Sequence, residues 1–65
     1  MSNQGKQPYR YSFYRDETAL AFEIILKNNN IRVKRNGTYV EWWTDTPAQD
    51  VIATGAWTEL AESEV

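Results

Sequence analysis

Residues 31–43 read Ile31-Arg32-Val33-Lys34-Arg35-Asn36-Gly37-Thr38-Tyr39-Val40-Glu41-Trp42-Trp43, two alternating runs around an Asn-Gly pair. Alternation of apolar and polar side chains over five or six residues is the period of a half-buried strand. Asn-Gly is the preferred pair for a two-residue type I′ turn, because both positions must take positive φ. These residues therefore predict a β-hairpin in which Arg35 faces Thr38. In that register Val33 faces Val40 and Ile31 faces Trp42 on one side, and Lys34 faces Tyr39 and Arg32 faces Glu41 on the other. One face is apolar, and the other gains an opposite-charge pair and a cation beside a ring.

Upstream, residues 9–14 alternate again, with Tyr11 and Phe13 pointing one way and Arg10, Ser12 and Tyr14 the other. Asp16 is positioned to cap a helix, Glu17 adds negative charge to its first turn, and no Gly or Pro interrupts the run to Asn28. Glu23 and Lys27 form an i,i+4 pair on its wet side. The apolar residues Leu20, Ala21, Phe22, Ile24, Ile25 and Leu26 go further round the helix than one sheet can bury, so a second helix or a neighbouring chain is expected over the excess. Asn28, Asn29 and Asn30 tolerate left-handed backbone and end the helix in a turn.

Downstream, Thr46, Pro47 and Gln49 spell a capping box with proline at the first helical position, so a second helix begins there. Val51 and Ile52 are out of phase with the apolar residues that follow Gly55, and residues 56–60 alternate. The reading is a helix that stops at Thr54-Gly55 and a last strand over 56–60. The predicted order is strand, helix, strand, strand, helix, strand: an α+β domain with the split-βαβ, ferredoxin-like arrangement, both helices on one face of an antiparallel sheet. The alternative is βαββα with a longer C-terminal helix. Residues 1–8 read as a flexible leader without the apolar centre of a signal peptide, 9–61 as the domain, and 62–65 as an acidic tail.

Composition narrows the chemistry. The chain has 65 residues, no Cys and no His. A domain of this size hides little surface, and neither a disulfide nor a soft-ligand zinc site is available to staple it. Without His there is no side chain titrating near neutrality, and without Cys the most readily activated nucleophile is missing. The carboxylates Asp16, Glu17, Asp45 and Asp50 all have plainer duties in caps, first turns and loops. No Gly-rich phosphate loop or calcium loop occurs, and no internal repeat at solenoid periods and no heptad run, so neither a repeat array nor a coiled coil is expected as the mode of binding. The expectation is a non-enzymatic domain with no catalytic residue, no metal and no cofactor. The absence of Cys and of a membrane-length apolar run points to the cytoplasm.

Charge is divided along the chain. Through Asn36 there are seven basic residues against three acidic, and from Gly37 onward none against six, which together give the net −2. Such a division can steer a charged partner or align two copies of the chain.

Binding is expected on the open face of the sheet, where Arg10, Tyr14, Arg32, Lys34, Tyr39 and Trp43 would project. Trp, Tyr and Arg are the residues enriched at protein-interface hot spots. The same mixture suits single-stranded nucleic acid, whose bases stack on rings while cations meet phosphate. The acidic balance, Glu41 in the middle of the face and the lack of the Gly-aromatic signature of RNA-recognition modules favour a protein partner, either another protein or a second copy. A small stoichiometric regulator or inhibitor of a larger protein is the reading, with a single-stranded nucleic-acid-binding module as the alternative.

Overall fold

The computed structural model describes residues 7–65; residues 1–6 of the expected leader lie outside the described residues. The order is β1 (Tyr9–Ser12), α1 (Asp16–Asn28), β2 (Arg32–Asn36), β3 (Tyr39–Trp43) and α2 (Pro47–Ser63). The chain is a small α+β fold with a three-stranded antiparallel sheet ordered β1-β3-β2 and two helices on one of its faces. Because β1 and β2 both run antiparallel to β3, they are parallel to each other on either side of it.

The hairpin forms, but in a different register. Asn36 pairs with Tyr39, so the two-residue loop is Gly37-Thr38 and not Asn36-Gly37. Gly37 has φ 66° and Thr38 is not in the left-handed region, which is the pattern of a type II′ turn with glycine first. A β-branched Thr is thereby spared positive φ. The pairing slides by two residues, an even number, so every side chain keeps its predicted face. Val33 now faces Trp42, Lys34 faces Glu41 and Arg32 faces Trp43.

The N-terminus of α1 is not capped by Asp16. The N-cap is Arg15, whose side chain makes no capping hydrogen bond, and Asp16 is the first helical residue. The carboxylate of Glu64, from the far end of the chain, instead holds the backbone just ahead of the helix. It accepts from the Tyr14 amide at 3.0 and 3.1 Å and from the Arg15 amide at 3.0 Å. The asparagine turn behaves as expected. Asn30 takes φ 59°, the Asn30 amide donates to the Lys27 carbonyl and the Ile31 amide to the Leu26 carbonyl. That is a Schellman motif, with the accompanying apolar contact made by the buried pair Leu26 and Ile31.

The expected last strand is helix. α2 runs unbroken through Gly55 to Ser63, so residues 56–60 add no strand, and the four-stranded ferredoxin-like sheet does not form; the alternative order βαββα does. Residues 62 and 63 are its last turn and Glu64 its C-cap, so the expected acidic tail belongs to the fold. The physical reason lies in phase. Ala53, Ala56, Trp57, Leu60 and Ala61 recur at helical spacing and meet the core, whereas Val51 and Ile52 face solvent at 72% and 39% exposure. The capping box holds: Thr46 Oγ1 accepts from the Gln49 amide at 3.1 Å, and Gln49 Oε1 reaches back to the Asp45 amide at 2.8 Å.

The core lies between the helices and the sheet: Phe13, Ala19, Phe22, Leu26, Ile31, Val40, Trp42 and Ala53. Rings dominate it. Phe22 meets Trp42 edge-on at 4.7 Å, Tyr11 meets Phe13 at 4.8 Å, and Trp57 of α2 packs against Tyr11 at 5.6 Å. Such edge contacts contribute about 0.5–1.5 kcal/mol each beyond burial, a useful supplement in a domain with so little interior. The apolar excess of α1 is only partly covered by α2: Leu20 and Ile24 remain 43% and 48% exposed.

Candidate functional site on the open sheet face

The pleat sends Arg10 and Ser12 of β1, Tyr39, Glu41 and Trp43 of β3, and Arg32, Lys34 and Asn36 of β2 to the face opposite the helices. Register arranges them in rows. Arg10, Glu41 and Lys34 form one, Ser12, Tyr39 and Asn36 the next, and Trp43 lies opposite Arg32.

Glu41 sits at the centre. Its Oε2 lies 3.3 Å from Arg10 Nε and accepts from the Tyr39 hydroxyl at 3.1 Å. Partial burial, followed by that hydrogen bond and the Glu41 charge, holds the Tyr39 phenol above its ordinary pKa against the opposing pull of Arg10. Tyr39 therefore stays a donor at all ordinary pH values. The guanidinium carbon of Arg32 lies 4.4 Å from the centroid of the Trp43 ring, a cation–π contact that covers one face of the indole.

Five of the six side chains expected on this face are in these rows. Tyr14 is not. It lies beyond β1 in the bend before α1, 78% exposed, with its amide held by Glu64. The shifted register also changes the partners: the ring beside a cation is Trp43 with Arg32, not Tyr39 with Lys34.

Where β3 runs into α2 there is a cleft of about 380 Å³, lined by Gln7, Tyr9, Trp43, Thr44, Asp45, Thr46, Pro47 and Asp50. Sequence reading did not find it, since its walls come from two segments that meet only because β1 pairs with β3. The hydroxyl of Thr44 donates to Asp50 Oδ1 at 3.2 Å. Hydrogen bonding to Asp50 and its charge raise the Tyr9 phenol above its ordinary pKa. Trp43 belongs to both surfaces, so the cleft continues the open face at one end. Among the described residues no group of three or more Asp and Glu side chains is placed to hold a metal ion, and no helix is long and apolar enough to cross a membrane.

Comparisons with protein-family models, with curated proteins and with solved structures return no match to this chain. Its functional reading rests on its own residues.

Proposed function

We propose that the chain is a non-enzymatic binding module whose open sheet face docks a partner protein, acting stoichiometrically as a regulator or inhibitor of a larger protein. The observation that carries this reading is the pairing on the face itself. Glu41 neutralises Arg10 and fixes the Tyr39 hydroxyl, while Arg32 lies on Trp43. A face with a carboxylate at its centre and a guanidinium over its half-buried indole is preorganised for mixed-charge, ring-rich contact, the chemistry of protein hot spots. It suits a strand of phosphates less well, because Glu41 faces them and Arg32 occupies the stacking surface. The cysteine-free composition fits a reducing compartment, and the cytoplasm is the proposed location.

Single-stranded nucleic acid is the second reading, favoured by one observation: Lys34 lies beside Glu41 across the hairpin, and with Arg10 and Arg32 it leaves the face more cationic than anionic. A pair of variants tests the first reading, and an oligonucleotide titration separates it from the second. Arg32→Ala and Trp43→Ala are expected to weaken binding of a protein captured by the immobilised chain at least about ten-fold, a hot-spot effect, while the melting temperature changes little. Saturable quenching of tryptophan fluorescence by a mixed-sequence oligonucleotide, reversed by moderate salt, would overturn the protein reading in favour of nucleic acid.

A further inference from the structure

The outer side of α1 carries a short apolar stripe bounded by opposite charges. Leu20 and Ile24 are 43% and 48% exposed. At helical spacing both lie on the side of the helix opposite Phe22, away from the face whose Ala19, Phe22 and Leu26 are buried against the rest of the fold. Glu17 lies one turn before them on the same stripe and Lys27 one turn after, both exposed. Glu17 has no ion pair within the described residues, and Lys27 remains 63% exposed even while it contacts Glu23 at 3.2 Å.

The steps from 17 to 20, 24 and 27 are three, four and three residues, the spacing of a two-heptad seam about 15 Å long. The order along it is acid, apolar, apolar, base. A second α1 laid antiparallel, with the two-fold axis level with residue 22, sets Leu20 against the second copy's Ile24 and Glu17 against its Lys27, twice over. A parallel arrangement instead places like charges together at both ends. The stripe is thus complementary to itself in one orientation, which closes a two-fold dimer and cannot propagate into a filament.

We propose that this stripe is the docking surface for a second copy of the chain, the two α1 helices packing antiparallel through Leu20 and Ile24 with Glu17–Lys27 pairs at each end. The seam is far smaller than the roughly 1,200–2,000 Å² buried by stable complexes, so association is weak and reversible. Both open sheet faces then point outward, away from the dimer axis. The inference therefore stands independently of what those faces bind.

The test is sedimentation equilibrium up to millimolar concentration on the intact chain and two charge-reversal variants. The wild type is expected to rise from monomer toward twice its mass. Glu17→Lys and Lys27→Glu each place like charges at both ends of the stripe, and each alone is expected to associate about ten-fold or more weakly than the wild type. An equimolar mixture of the two restores both opposite-charge pairs and is expected to recover dimer. A wild type that stays monomeric, single variants that associate as well as the wild type, or a mixture no better than its components would overturn the proposal. Should a variant fail to fold, NMR of the wild type across dilution decides: concentration-dependent amide shifts centred on residues 17–27 support the stripe, and their absence there overturns it.

Discussion

The carboxylate of Glu64 holds the two backbone amides just ahead of α1, those of Tyr14 and Arg15. Its pKa reflects the contest. Burial pushes it up, but the hydrogen bonds from those amides and from the Thr18 hydroxyl outweigh this and leave it below the ordinary 4.5. Glu23 is lowered as well, chiefly by the hydrogen bond from Arg35 at 2.7 Å, with burial opposing and Lys27 assisting. A carboxyl whose pKa is depressed on folding stabilises the fold fully above its unfolded pKa, and that contribution is lost as pH falls through the depressed value. Glu64→Gln is therefore expected to lower the melting temperature at neutral pH, with the gap to the wild type closing as a series of thermal melts is carried into acid. A gap independent of pH would assign the loss to shape and not to charge. Nothing near Glu64 in sequence announces this role: the residue it serves is 50 positions away, and Asp16 offered a local and sufficient-looking cap.

Two glycines have opposite expected effects because they belong to different elements. Gly37 begins the hairpin loop at φ 66°, where a side chain would meet no atom within 4 Å but the backbone itself is unfavourable. Gly37→Val is expected to cost about 1–3 kcal/mol in urea unfolding. Gly55 lies inside α2 in ordinary helical conformation, again with no atom within 4 Å of an added Cβ. Gly55→Ala is expected to stabilise by about 0.5–1 kcal/mol, and a loss instead would mean that the chain breaks there. The hairpin, α1 and the start of α2 were legible because each has local punctuation: an Asn-Gly pair, an asparagine run, a capping box. The rest of α2 was not. Its buried face is mostly alanine, Ala53, Ala56 and Ala61, while its bulkiest early residues, Val51 and Ile52, face water and set a misleading phase. The turn was placed one residue early, which shifts the pairing by two, for a related reason: glycine's neighbours permit either loop and only the paired side chains decide.

For the molecule as a whole, the alternation of three strands was enough to sort the wet face from the core, because a register error of two leaves faces unchanged. Arg10, Arg32, Lys34, Tyr39 and Trp43 were found that way. Tyr14 was misjudged because alternation was carried past the end of β1, into the bend that Glu64 holds. The cleft escaped notice because it depends on chain crossing, not on any local pattern. That same clasp has a kinetic side. The hairpin and both helices close over short stretches of chain, whereas the contact from Glu64 to Tyr14 must close a loop spanning 50 positions, an entropic cost met only once most of the structure exists. In a chevron experiment Glu64→Gln is expected to steepen the loss of native molecules by speeding unfolding, with the refolding limb unmoved. A slowed refolding limb would put the clasp inside the folding nucleus. Otherwise a bond made late in folding is among the first to break, and the last turn of α2 becomes a latch whose lifetime governs how long each molecule resists a protease.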